Sequence, residues 1–289
     1  MSRPDAARLT GPMTAGMTLV LGSTGKTGRR VVRQLRARGL PTRPASRSGE
    51  AHFDWRDRAT WPAVLRDVRA AYLVAPEDAD LAAEFVKTAT AAGVERFVAL
   101  SGRGVDVWAQ REGADQSMIA TEHAVRDSGA EWSIMRANNF AQNFSEDLYH
   151  APLLAGRLAL PTGGVPEPFV DADDLAEVAV ALLTEDGHAG RTYELSGPRA
   201  VSYAEAVDII ARVSGRPMRF VELTPAEYEA ELRAGGVEDP WVGLLSSLFE
   251  VTREGILAEP VDGVRQVLNR EPADFESYVA AAVAAGAWR

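Results

Sequence analysis

The stretch Thr18–Leu35, TLVLGSTGKTGRRVVRQL, places glycines at 22, 25 and 28 between an apolar run and a helical pattern. Two readings compete for it. Gly25, Lys26 and Thr27 suggest a Walker loop, G-x-x-x-x-G-K-[ST]. Its first glycine would then fall on Val20, inside the apolar run, and no aspartate of the second Walker motif follows an apolar strand. The Walker reading fails. A glycine-rich turn from strand to helix has the setting of a dinucleotide-binding loop. Gly22 permits the tight turn, Gly25 lets backbone approach a pyrophosphate, and Gly28 lets the helix sit close to the sheet. Thr24, Lys26 and Thr27 complete the expected phosphate cradle, where a helix start offers free N–H groups and the positive end of its dipole. The spacing is G-x-x-G-x-x-G, so the flanking strand and helix carry the argument.

Outward from this loop, short apolar runs alternate with helical patterns. Strands are expected at 18–22, 41–47, 51–55, 69–76, 95–102 and 130–137, with helices near 26–38, 80–93 and 117–129. Gly93 and Gly129 close the second and third of these helices. Such alternation predicts an α/β fold of the Rossmann type, a parallel sheet with helices on both faces and ligands at the strand C-termini. Beyond about residue 140 the alternation loosens, and Gly and Pro cluster in LALPTGGVPEPF, 158–169. Further helices are expected at 173–184, 202–214, 225–234 and 272–286, with strands near 191–196 and 217–222. The organisation read from this is a disordered lead-in over 1–16 and a cofactor-binding core over 17–150. Residues 151–289 form mainly a smaller C-terminal substrate-binding lobe, with some elements returning to the core.

The end of the second strand bears on the choice of cofactor. A carboxylate about 20 residues after the loop would hold a ribose hydroxyl and favour NAD. Here the chain reads ASRSG, with Arg47 between Ser46 and Ser48. A guanidinium suits a 2′-phosphate, so NADP(H) is the expected cofactor, and Lys26 is a candidate second charge for that phosphate. Arg43, on the same strand, reads more readily as a solvated edge residue. Asp54 closes the third strand, where it either meets the adenine edge or forms a turn.

Composition narrows the partners. The chain of 289 residues has no cysteine, four scattered histidines and a net charge of −10. Thiolate chemistry is excluded, a metal site is not expected, and nucleic acid is a poor partner without a basic face. No apolar run approaches the ~20 residues that span a bilayer. The expected setting is the cytoplasm, as a monomer or homodimer acting on a hydrophobic small molecule.

VLGSTGKTGRRVVRQL, RFVALSG, WSIMRANNFAQNF and PFVDADDLAEVA resemble the sequence blocks of the NmrA-like branch of atypical short-chain dehydrogenases. HFDWRDRATW followed by AAYLVAP is similar, more narrowly, to the ergot-alkaloid-type reductases of that branch. The resemblance spans roughly Thr18 to Leu223 and implies NADPH-dependent reduction of iminium carbons; the branch also includes redox sensors without catalysis. It places Asn138, Asn139 and Phe140, after the sixth strand, against the nicotinamide, where they read alternatively as a hydrogen-bonded loop that starts the next helix; Ala75 and Pro76, at the end of the fourth strand, are further candidate cofactor contacts.

The main dehydrogenase family uses a Ser with Y-x-x-x-K. This chain has no lysine after Lys87, so a tyrosine primed by lysine is not available as proton donor. An iminium carbon already carries the positive charge that a donor would supply, and a quinone takes its proton from water; either needs mainly positioning. Ser101, ending the fifth strand, and His123, on the third of these helices, are the candidate catalytic side chains. Ser101 reads alternatively as a turn cap and His123 as a partly buried structural residue. Asp171, Asp173 and Asp174 read as helix capping and first-turn charge. Trp241, Phe249 and Tyr149 either wall a substrate pocket or fill a core. An NADPH-dependent reductase is the leading reading, and an NADP(H)-sensing regulatory protein is the alternative.

Overall fold

A computed structural model describes residues 16–111 and 114–289. The expected lead-in over 1–16 lies almost wholly outside the described residues. In chain order the first half runs β1 (Met17–Leu21), α1 (Gly28–Ala37), β2 (Thr42–Ser46), β3 (Ala51–His52), α2 (Trp61–Leu65), β4 (Val68–Val74) and α3 (Asp80–Ala91). It continues with β5 (Arg96–Gly102), α4 (Val105–Trp108), α5 (Ser117–Arg126) and β6 (Glu131–Ala137).

The second half runs α6 (Asn143–Glu146), α7 (His150–Leu154), β7 (Arg157–Leu160), α8 (Ala172–Thr184), β8 (Arg191–Leu195), α9 (Tyr203–Ser214) and β9 (Arg219–Glu222). Four helices follow: α10 (Pro225–Ala234), α11 (Asp239–Arg253), α12 (Gly263–Leu268) and α13 (Phe275–Ala284).

Seven parallel strands form the sheet in the order β3-β2-β1-β4-β5-β6-β8. The order reverses between β1 and β4, which opens a crevice beyond their C-termini. β1 shows how alternation builds both faces. Val20 points to the side covered by α1 and α8, while Leu19 and Leu21 point to the side of Trp61, Phe85 and Phe97. All three side chains are fully buried.

α8 and β8 come from the second half yet belong to this sheet. Asp171 caps α8, its side chain accepting from the Asp173 amide at 2.7 Å, and the helix buries most of its residues against the sheet and α1. The Asp171–Asp174 cluster is thus the capping device expected from sequence. α12 packs on α8 and β8. The remaining elements surround a separate aromatic core of Phe144, Tyr149, Phe169, Tyr203 and Phe275.

Two expectations need correction. The third strand is only two residues long, because Phe53 and Trp55 turn into an aromatic cluster with Phe85 while Asp54 Oδ1 accepts from the Arg56 amide. The Gly/Pro-rich segment at 158–169 opens with a true strand, β7, which pairs in parallel with β9. Among the described residues, no helix is long and apolar enough to cross a membrane, and no cluster of His, Asp and Glu could hold a metal ion.

Candidate functional site

The glycine loop leaves β1 through Gly22, whose φ of +63° is left-handed backbone that glycine adopts without strain. The Gly25 amide donates to the Gly22 carbonyl at 2.9 Å and closes the turn. A Cβ at Gly28 would lie 2.1 Å from that same carbonyl oxygen, so the start of α1 can approach the loop only as glycine. Among the described residues, the amides of Thr24, Lys26 and Thr27 meet no acceptor. Unsatisfied amides at a helix start are a ready anion site.

Beside this loop, Thr24 Oγ1 lies 3.3 Å from Ser46 Oγ at the end of β2. Ser23 Oγ is buried without a partner, and a Cβ on Gly49 would crowd Ser23 Oγ and Ser46 Oγ at 2.9 and 2.6 Å. Arg47 is exposed at this edge, and its guanidinium pairs with no described residue. The other basic candidates go elsewhere. Arg43 is a brace, Nη1 donating to the carbonyls of Val64 and Arg66 at 2.9 and 2.5 Å, so it is not a solvated edge residue. Lys26 Nζ reaches across the cleft to Asn143 Oδ1 at 2.5 Å and Asp147 Oδ2 at 2.6 Å, 5.5 Å from the centre of the Phe140 ring. It is not poised as a second charge beside Arg47. Asp54 has one carboxylate oxygen in its own turn.

From the C-termini of β4, β5 and β6 a cavity of about 840 Å³ runs into the second half of the chain. Ala75, Pro76, Ser101, Asn138 and Phe140 line its sheet end, with Lys26 at the loop. Leu158, Tyr203, Tyr228, Leu245 and Phe249 line its far end. Tyr149 and Phe249 therefore do face the cleft, whereas Trp241 is 59 % exposed and lies outside its wall. Among the described residues, the cations on the wall are matched by acidic partners. Lys26 pairs with Asp147, Arg157 with Glu231 at 2.6 Å, and Glu77 with Arg56 at 2.8 Å. Arg103 is held by Asn138 Oδ1 at 2.9 Å, the Glu259 carbonyl at 2.8 Å and Glu194. Asp115 accepts from the Ser117 amide and hydroxyl.

Ser101 is buried in this wall, with its hydroxyl near the Glu122 carboxylate, whose lowered pKa it supports, although the contact falls outside ordinary hydrogen-bond geometry. The candidate catalytic role of His123 is not supported by its position. It stands exposed on α5 and does not line the cavity, nor is it a partly buried structural residue. Its neighbour Glu122 points inward instead, fully buried, and accepts from Arg136 at 2.8 and 2.9 Å and from Arg126 at 2.8 Å. Burial alone would raise the Glu122 pKa; the hydrogen bonds and charge of Arg136 outweigh it and hold the carboxyl below its ordinary value. Burial pushes Tyr149 and Tyr203 above the ordinary phenol range, the reverse of the shift that primes a tyrosine as acid.

Sequence reasoning missed Asp147, Arg103 and Glu167. Glu167 is wholly buried and joined to Asn139 and Thr252. None sits in a periodic pattern or a motif, and each gains its meaning from contacts more than 25 residues away.

Residues 22–186 match a family model described as NAD(P)H-binding. Along nearly its whole length the chain is 34% identical, over 282 residues, to the (4-alkanoyl-5-oxo-2,5-dihydrofuran-3-yl)methyl phosphate reductase of Streptomyces griseus, covering 91% of this chain and 97% of the relative. It is 30% identical over 278 residues to the festuclavine dehydrogenase of Aspergillus fumigatus, covering 89% and 94%. The fold is similar to that of the Citrobacter triphenylmethane reductase crystallised with NADP(H), with a TM-score of 0.73, 18% identity, and coverage of 92% and 99%.

Proposed function

The chain belongs to the NAD(P)H-binding family, and from that premise we propose that it is an NADPH-dependent reductase acting on a hydrophobic iminium or quinone-type acceptor without an anionic group. The observation that carries this reading is the cavity of about 840 Å³ that continues from the cofactor contacts expected at Ala75, Pro76, Asn138 and Phe140. Pockets of this size accept a drug-sized ligand. A protein that only sensed the cofactor would not need such a chamber beside it.

The loop fits a dinucleotide on structural grounds, through the cradle that a Cβ at Gly28 would fill and the free amides of Thr24, Lys26 and Thr27. Gly22, Thr24, Gly25, Thr27 and Gly28 would hold the pyrophosphate, and Arg47 would read the 2′-phosphate. Bound NADPH supplies the hydride. The chain's own part is positioning. Phe140 and Asn138 wall one side of the acceptor space, and the aromatic far end with Tyr203 and Phe249 shuts out water around an apolar body. With Tyr149 and Tyr203 held as neutral phenols, an acceptor that needs no protein acid suits the site. The matched charges of the wall leave no spare cation for a carboxylate or phosphate.

The test is NADPH consumption by the purified protein over a panel of iminium and quinone acceptors, with NADH alongside. Turnover with NADPH well above NADH is expected. Tight NADPH binding with no turnover across the panel would replace this reading with that of a redox sensor.

A further inference from the structure

Glu167 has no place in the chemistry above, yet it is 0 % exposed and carries an ionisable group into the protein interior. Its backbone is pinned by a reciprocal pair with Val201, at 3.0 and 2.9 Å. One carboxyl oxygen meets Asn139 Nδ2 and the other meets Thr252 Oγ1, each at 2.5 Å. These two partners both line the cavity and come from different elements. Asn139 sits in the loop after β6, next to Asn138 and Phe140, and Thr252 lies near the end of α11, next to Val251 and Phe249. The other ties from this end of α11 are at or near the surface: Arg111 to Glu250 and Glu254, and Arg253 to the Pro161 carbonyl.

We propose that Glu167 is a positioning residue that sets the width of the acceptor space, joining the nicotinamide-side loop to α11 through its two carboxyl oxygens. A single rigid strut fits the task, because a hydride must cross between walls whose separation is held closely. Both contacts are donated to the carboxyl, one by Asn139 Nδ2 and the other by the Thr252 hydroxyl. Burial raises the Glu167 carboxyl above its ordinary value, ahead of the opposing influence of Thr252, Asn139 and the Arg103 charge. Tyr149 and Tyr203 also face it, and both stay neutral.

The kinetic part of the test rests on the reductase reading; the structural part does not. Wild type, Glu167→Gln, Glu167→Ala and Thr252→Val are compared by hydrogen exchange of the α11 peptide 239–253 and by acceptor kinetics. Leaving a buried polar group unmatched costs about 1–3 kcal/mol, roughly 5- to 150-fold in local opening. Glu167→Ala and Thr252→Val are expected to speed α11 exchange by about that factor and to raise the acceptor KM about tenfold, with NADPH affinity unchanged. Glu167→Gln, whose amide keeps both contacts once the Thr252 hydroxyl turns to accept, is expected to restore both. Unchanged α11 exchange in Thr252→Val, exchange accelerated equally throughout the chain in Glu167→Ala, or exchange and KM left high in Glu167→Gln would overturn the proposal. If no acceptor is turned over, the reductase reading falls, and the exchange pattern still decides whether Glu167 is the strut.

Discussion

Lys26 Nζ and Asp147 Oδ2 stand 2.6 Å apart, joining the glycine loop to the segment between α6 and α7 across the mouth of the cofactor cleft. The neighbouring pairs of Arg29 and Arg30 with Glu146 draw the same segment down. A dinucleotide bound at this loop would bring its own negative charge, and Asp147 would then compete with it for Lys26. The pair is partly exposed, and such pairs are worth about 0–1 kcal/mol. Asp147→Asn is accordingly expected to tighten NADPH binding by up to about fivefold, and Lys26→Ala to weaken it, by fluorescence titration at low salt. Weaker binding by Asp147→Asn would mean that the pair assists the cofactor.

Gly28→Ala tests the loop itself. The new methyl meets backbone, not a side chain that can swing away, at 2.1 Å from the Gly22 carbonyl. Overpacking of this kind costs about 1–3 kcal/mol, with displacement of α1 as the alternative to unfolding. The expected result is a lower urea midpoint together with loss of measurable NADPH binding. Full stability with normal binding would show that the loop relaxes freely.

Arg47→Ala should separate the two nicotinamide cofactors. A charge-assisted hydrogen bond is worth about 1.5–3 kcal/mol, or roughly 10- to 150-fold. The KM for NADPH is expected to rise by that factor while NADH is affected less than about twofold. Arg47→Lys should recover only part, since an ammonium lacks the planar fork.

The Glu122–Arg136 pair gives a stability prediction with a definite sign. Glu122 has its pKa lowered in the folded protein, so its contribution is fully present above the unfolded value near 4.5 and is lost as pH falls through the folded value. Glu122→Ala leaves Arg136 with Asp106 as its acidic partner and is expected to cost about 3–5 kcal/mol at pH 7. In urea titrations the gap between variant and wild type should narrow as the pH is taken below 4.5. A gap that stays constant would assign the loss to packing.

Charge matching along the cavity wall predicts a narrow tolerance. An acceptor bearing a phosphate or carboxylate is expected to show kcat/KM at least tenfold below that of its uncharged counterpart, because burying an unmatched anion costs at least about 1.4 kcal/mol. The Streptomyces relative is named for a phosphate ester. Equal rates for the two acceptors would show that Lys26 or Arg157 leaves its carboxylate partner to bind substrate.

Which parts of this were legible beforehand follows from the range of the forces involved. The glycine loop, the β/α alternation and the Asp171 cap rest on contacts within a few residues, and local pattern reveals those. α6 and α7 have four and five residues, too few for a period to show. α11 escaped for a different reason: Trp241 and Leu248 are exposed while Val242 and Phe249 are buried, so apolar residues occupy several of its faces and blur the stripe. Arg43 and His123 were misread because exposure on a strand edge or a helix is decided by neighbours distant in sequence.

The return of α8, β8 and α12 to the sheet also bears on how such a chain can change over time. The polypeptide passes repeatedly between the cofactor half and the aromatic half, so no single junction separates them. Recombination at one point would strip β6 of its neighbour or leave the α1 face of the sheet bare. New substrate ranges in this architecture must therefore arise by substitution within the chamber or by growth of its loops, with the NAD(P)H-binding half inherited in place.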